Sequence, residues 1–140
     1  MNDSRPGVLF DIDGTLVDTN YLHTVSWARA SVDAGEWAPM NAIHRLVGMG
    51  SDQLVKRLLG HESDAAADAH NRRFHEVIED AKQVPTAADL LARVHAAGLV
   101  VVLATSSPAD DLETFEKLLG ADDAIDAAPP RMTSSSPSLP

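Results

Sequence analysis

Leu99 to Leu103 are five consecutive apolar residues, three of them valines, and they constrain the fold more than any other stretch of the chain. A short apolar run that does not alternate belongs to a strand covered on both faces, the signature of a parallel sheet. Its valines favour extended backbone. The run follows Gly98 and ends at Ala104-Thr105-Ser106-Ser107. Val8-Leu9-Phe10 is a shorter run of the same kind, entered from Pro6-Gly7 and ending at Asp11. Ala124 to Ala127 reads as a third short strand. Parallel neighbours cannot be joined by a hairpin, so helices must carry the chain back between them.

The helices are legible by period. Leu22, Val25, Ala28 and Val32 predict the inward face of a helix over 21–34, with Gly35 as its stop. Pro39 opens a short helix to Val47, broken by Gly48 and Gly50. Ser51 is expected to cap a helix carrying Leu54, Val55, Leu58 and Leu59, closed by Gly60. A longer polar helix is expected over about 64–83, with Phe74, Val77, Ile78 and Ala81 on its apolar side. Pro85 marks a boundary, after which Ala88, Leu91, Ala92, His95 and Ala96 predict a helix stopped by Gly98. Pro108 starts the last helix, with Leu112, Phe115, Leu118 and Leu119 inward and Gly120 as its stop. The fold class that follows is α/β: an incomplete, doubly wound, Rossmann-like parallel sheet with a helical block inserted after its first strand. Residues 1–18 and 84–128 are expected to form the core, 19–83 an α-helical cap and 129–140 a disordered tail.

Composition excludes several function classes. The chain has 140 residues, is 44% hydrophobic, carries a formal charge of -10 and contains no cysteine. Disulfides, thiol catalysis and cysteine-rich zinc sites are therefore ruled out, and a reducing cytoplasm is the expected setting. The acidity argues against nucleic acid and anionic membrane as partners. No apolar run approaches membrane-spanning length, and Met1 to Gly7 lacks the apolar stretch of a signal peptide. His23, His44, His61, His70, His75 and His95 show no ligand-like spacing, so zinc is not expected. Trp27 and Trp37 are read as packing residues.

The chemistry is concentrated in Phe10-Asp11-Ile12-Asp13-Gly14-Thr15-Leu16-Val17-Asp18-Thr19. Two carboxylates lie two residues apart at the C-terminal end of a buried strand, where open α/β sheets bind ligands. An ionised Asp11 can attack phosphorus. If the chain curls after it, Asp13 can face the same substrate and exchange a proton with the leaving oxygen or a water. Gly14 lets backbone approach a phosphate closely.

This string closely resembles the first motif of the haloacid-dehalogenase superfamily of hydrolases. The resemblance implies that Asp11 is a nucleophile and Asp13 a general acid/base. It also implies Mg²⁺ as cofactor, held by the Asp11 carboxylate and the Asp13 backbone carbonyl. The second motif of the family matches Val100-Val101-Val102-Leu103-Ala104-Thr105-Ser106, which assigns phosphate binding to Thr105 and, as second choice, Ser106, alongside Gly14. The insertion resembles the helical cap of the phosphoglycolate-phosphatase and β-phosphoglucomutase branch. Within it, Ile43 to Asp52 looks like the substrate-facing loop, and Arg45 could reach an anionic group of the substrate. The partner so implied is a small phosphorylated substrate, cleaved through an aspartyl-phosphate.

Two parts of the family pattern have no counterpart. Lys117 lies before the third strand, too early for the lysine that neutralises the nucleophile and phosphate. Asp122 and Asp123 also precede that strand and do not match the late acidic motif. The expectation is a phosphatase-type hydrolase that is crippled or inactive as it stands, the alternative being a non-catalytic remnant that binds phosphate or metal. A receiver domain also phosphorylates an aspartate on such a sheet, but on its middle strand and without a helical cap. The codons of the tail from Pro129, read one frame over, can spell the segment that family members carry there, including a Lys-Pro. A frameshift after about residue 128 is therefore expected.

Overall fold

The computed structural model describes residues 4–128. Strand β1, Gly7–Asp11, pairs in parallel with β4, Val100–Ala104, in a register that sets Asp11 beside Ala104. The expected third strand is reduced to one parallel bridge, Val102 to Ala127, with Leu103 N–H donating to the Ala127 carbonyl at 2.9 Å. A 3₁₀ turn over Asp122–Ala124 consumes the start of that segment. Helices α5, Ala87–Ala96, and α6, Ala109–Leu119, carry the chain to and from β4. The mixed α/β architecture with a parallel sheet is thus present, and its connections run through helices as parallel pairing requires.

Between β1 and α5 the chain makes four helices: α1 over Asn20–Asp33, α2 over Met40–His44, α3 over Ser51–Leu59 and α4 over Asp64–Val77. Three details differ from the sequence expectation. Ser51 is the first residue of α3, not its cap; Gly50 holds that position and accepts the Leu54 N–H at 2.9 Å. The side chain that does cap is Ser63, whose oxygen accepts the Ala66 N–H at 3.2 Å. The long helix over about 64–83 stops at Val77, tightens to 3₁₀ over Ile78–Asp80, and gives strand β3, Lys82–Gln83. That strand pairs antiparallel with β2, Val17–Asp18. The ladder hydrogen bonds reward leaving the helix at a point where Phe74, Ile78 and Ala81 are already buried.

The buried face of α1 also differs. Val32 is exposed, while Thr24, Trp27, Ala30 and Ser31 are buried. The hydroxyls of Thr24, Ser26 and Ser31 bond the carbonyls four residues back, of Asn20, Leu22 and Trp27, at 2.7–2.9 Å. Small residues that satisfy themselves in this way let α4 approach closely with Ala66, Ala69 and His70. Apolar periodicity alone cannot see such a face.

Two hydrophobic clusters result. One joins Ile12, Leu16, Val17, Leu91, Val101, Leu103, Phe115 and Leu119 under the sheet, with Phe74 of α4 and Ile78 of the 3₁₀ turn after it reaching in. The other lies among the inserted helices and contains Trp27, Ala30, Ile43, Leu54, Val55 and Ala69. Trp27 packs as expected, whereas Trp37 is 76% exposed. Among the described residues no helix is long and apolar enough to cross a membrane. The tail expected to be disordered, 129–140, lies outside the described residues.

Candidate active site

The register of β1 and β4 brings the loops after Asp11 and Ala104 to the same edge of the sheet. After Asp11 the chain turns sharply: the N–H groups of Thr15, Leu16 and Val17 all converge on the Ile12 carbonyl at 3.0–3.1 Å. Gly14 makes this possible with φ +71, and a Cβ there would sit 2.5 Å from Asn20 Oδ1. The curl anticipated from the sequence is therefore real, and it returns Asp13 toward β4.

Asp13 is held on both oxygens. His23 Nε2 lies 2.9 Å from Oδ1, and the Thr19 hydroxyl donates to the same atom at 3.3 Å. The hydroxyls of Thr105 and Ser107 donate to Oδ2, each at 3.2 Å. Burial alone would raise its pKa, but His23, by hydrogen bond and charge, and then Ser107 and Thr105 outweigh burial and hold the carboxyl below its ordinary value. Asp11 is exposed, with the Thr15 hydroxyl donating to its Oδ2 at 3.3 Å.

Asp11, Asp13, His23 and Ser107 line a cleft of ≈ 130 Å³, roofed by Trp27, Leu54 and Phe74 and by Val47, Gly48 and Met49 of the loop between α2 and α3. Of the residues singled out from sequence, Asp11, Asp13 and Ser106 line it. Gly14 shapes the turn beneath, and Thr105 bonds Asp13. Arg45 is exposed and does not line the cleft, although its loop does. Besides Thr105, the β4 loop supplies the Ser107 hydroxyl to Asp13; Ser107 N–H also donates to Thr105 Oγ1 at 3.0 Å, closing the turn.

His23, His70 and Asp111 were not anticipated. His23 Nδ1 lies 3.1 Å from His70 Nε2. The two rings stand in a stack, with His23 on Phe74 at 4.0 Å and His70 on Trp27 at 4.0 Å. Burial, reinforced by the charge of His23, pushes the His70 imidazole down to about 3, so it is neutral near pH 7. Asp111 is buried against the same cleft; burial raises its carboxyl, against the opposing pull of His75, whose Nδ1 lies 3.2 Å away. The available signal was helical spacing, four residues from His23 to Trp27 and four from His70 to Phe74, which puts each histidine on an inward stripe.

No group of three or more His, Cys, Asp or Glu side chains among the described residues could hold a metal. The oxygen donors at hand are the Asp11 carboxylate and backbone carbonyls of the turn. The Asp13 side chain is already engaged by four donors. The cleft lining contains no lysine or arginine among the described residues.

Relatives share this arrangement of chain. A solved hydrolase from Pseudomonas syringae superposes with a TM-score of 0.77 at 26% identity, covering 88% of this chain and 59% of that one. A predicted phosphatase from Clostridium acetobutylicum gives 0.78 at 21% identity, over 89% and 60%, and speaks for the fold. The probable pseudouridine-5'-phosphatase of Drosophila melanogaster is 28% identical over 110 residues, 75% of this chain and 48% of the fly protein. The chain thus spans about half the length of that curated relative. The haloacid dehalogenase-like hydrolase profile matches residues 6–130, nearly the whole chain, and the chain belongs to that family.

Proposed function

We propose that this chain carries the nucleophile and the proton-transfer group of a phosphatase that cleaves a small phosphate ester through a phospho-aspartate. The observation that supports it most is the convergence of Asp11, Asp13, Thr105 and Ser107 at one edge of the sheet, beneath a helical roof. Asp13, ionised in the free chain, first takes up a proton from solvent; an Asp11 oxygen then attacks phosphorus, the bond from phosphorus to the ester oxygen breaks, and Asp13 delivers that proton to the ester oxygen. Asp13 then takes a proton from water as the water oxygen attacks phosphorus. The bond to Asp11 breaks, inorganic phosphate leaves, Asp11 is again a carboxylate, and Asp13 again carries the proton it gave up. Residues 19–83 act as the cap that covers the reacting group and excludes bulk water.

The donor chemistry fits Mg²⁺. Magnesium takes one or two carboxylates and fills its shell with water and phosphate oxygens. The exposed Asp11 carboxylate and the Asp13 backbone carbonyl would hold it, since the Asp13 side chain is occupied. When bound, the ion offsets the repulsion between Asp11 and a phosphate dianion.

A second reading has its own support. The cleft lining offers no lysine or arginine among the described residues, whereas a catalyst of this design needs fixed positive charge at the transferring phosphoryl group. In that reading the chain binds phosphate or metal without turnover. Phosphate release separates the two. The 140-residue protein is assayed with Mg²⁺ against sugar phosphates, phosphoglycolate and pseudouridine 5′-phosphate, and so is a version extended by a family C-terminal segment. We expect little turnover by the first, measurable turnover by the second, and its abolition by Asp11→Asn. Turnover that survives Asp11→Asn would sink the mechanism; none in the extended protein would favour the binding reading.

A further inference from the structure

Asp13, His23 and His70 form one hydrogen-bonded line from the sheet edge into the inserted helices. The distances are 2.9 Å from Asp13 Oδ1 to His23 Nε2 and 3.1 Å from His23 Nδ1 to His70 Nε2. His23 comes from α1 and His70 from α4, and only 6% of His70 is exposed. His70 touches neither Asp11 nor Asp13 by any hydrogen bond in this arrangement, so whatever it does to the reacting groups passes through His23.

A histidine ring has two nitrogens, and the hydrogen bond at one decides which of them carries the proton. Asp13 accepts two hydroxyl protons at Oδ2 and one at Oδ1, so it is an acceptor throughout and His23 Nε2 must be the donor. A neutral His23 then presents a bare lone pair at Nδ1. His70 Nε2 is the atom facing it. The protonation of His70 is fixed by its other nitrogen. Nδ1 is buried and has no partner within hydrogen-bond geometry; the neighbouring Asn71 side chain, as a hydrogen-bonding group, draws the ring's pKa upward but does not outweigh burial. A proton on Nδ1 would be an orphaned donor, which folded proteins rarely bury. A proton on Nε2 is instead satisfied by His23.

We propose that His70 is a positioning residue for Asp13: its Nε2–H donates to His23 Nδ1 and fixes His23 in the tautomer whose Nε2–H donates to Asp13 Oδ1. The line therefore has a direction, from His70 to His23 to Asp13. It turns the Asp13 carboxylate toward the inserted helices with one oxygen and toward Thr105 and Ser107 with the other. The stack built by Trp27 and Phe74 holds both imidazoles in plane, which a hydrogen bond between ring nitrogens requires. That this orientation serves proton transfer rests on the proposed phosphatase reading; the hydrogen-bond direction does not.

The test reads the rings directly. The 140-residue chain, labelled with ¹⁵N in its histidines, is examined near pH 8 by long-range ¹H–¹⁵N correlation, with assignment by single substitution. Both His23 and His70 are expected to show a protonated Nε2 and an unprotonated Nδ1. In His70→Phe, which keeps an aromatic ring in the stack, His23 loses that fixed pattern and shows averaged shifts at its two nitrogens. In His70→Gln, whose amide can donate to Nδ1, the fixed pattern returns. A proton on His23 Nδ1 in the parent protein, or an unchanged His23 pattern in a folded His70→Phe, overturns the proposal. If His70→Phe fails to fold by circular dichroism, the parent spectrum and His70→Gln decide alone. Phosphate release plays no part in these readouts, so a failure of the phosphatase reading leaves them standing.

Discussion

Four donors surround the Asp13 carboxylate, and their combined effect is to favour its ionised form in the folded chain. The folded pKa lies below the ordinary value of 3.8, so this group stabilises the fold above that value and the contribution is lost as pH falls through the lower folded pKa. In the extended protein, Asp13→Asn keeps the shape but cannot exchange a proton, and turnover should fall by ~10²–10⁴. A rate within threefold of the parent would remove Asp13 from the mechanism. Gly14 makes a separate prediction. Alanine there must adopt φ +71 and push the Asn20 amide aside, and the left-handed backbone alone should cost about 1–2 kcal/mol in urea unfolding. At this scale the sequence was informative where the site is one continuous string, Asp11 to Thr15. It was silent on Ser107 and His70, because their contacts join positions 94 and 47 residues apart along the chain.

The elements were legible by period and stop signal, and their exceptions are instructive. Gly60 and Gly120 end α3 and α6 in the left-handed conformation, as read from sequence. Helix α4 ends early because β3 can pair with β2, a tertiary reward that no local pattern announces. Gln83 in β3 then fastens three elements: its amide nitrogen donates to the carbonyls of Leu118 and Leu119 at 3.3 and 3.4 Å, and its oxygen accepts the Ala88 N–H at 3.2 Å. Gln83→Ala strands those groups at the end of α6 and the start of α5. We expect a loss of about 1–3 kcal/mol, measured by urea unfolding; an unchanged midpoint would show that water replaces the amide freely. The contact of α1 with α4 carries a pH signature. His70 has a folded pKa of about 3 against 6.5 when unfolded, so the unfolded chain binds more protons between those values. Stability is present above pH 6.5 and declines toward pH 3, with a slope of up to about 1.4 kcal/mol per pH unit from this residue. His70→Phe should flatten that limb of the stability profile; an equally steep limb would mean the ring is not buried neutral.

On the scale of the whole molecule, the described residues pack against one face of the sheet. Val101 and Leu103 are buried under α5 and α6, while Leu9, on the opposite face, is 69% exposed. An apolar side chain on an open, two-stranded parallel sheet invites self-association. Leu9→Lys is expected to raise the monomer fraction in sedimentation velocity without changing the circular dichroism; an unchanged association state would place the sticky surface elsewhere. The compact valine run foretold a strand buried on both sides, and the structure covers one, which is why the fold class was legible and the degree of covering was not. A different property follows from the small ladder between β2 and β3. Asp18 and Lys82 face each other across it, so the chain leaves for the inserted helices and comes back at the same spot. Cross-strand neighbours sit only about 5 Å apart, close enough for a two-residue Asn-Gly turn to join them. The chain thus enters and leaves the inserted helices at a single point, and any exchange of that block would have to keep an apolar residue where Phe74 packs into the core cluster while Asp11, Asp13 and Thr105 stay in place.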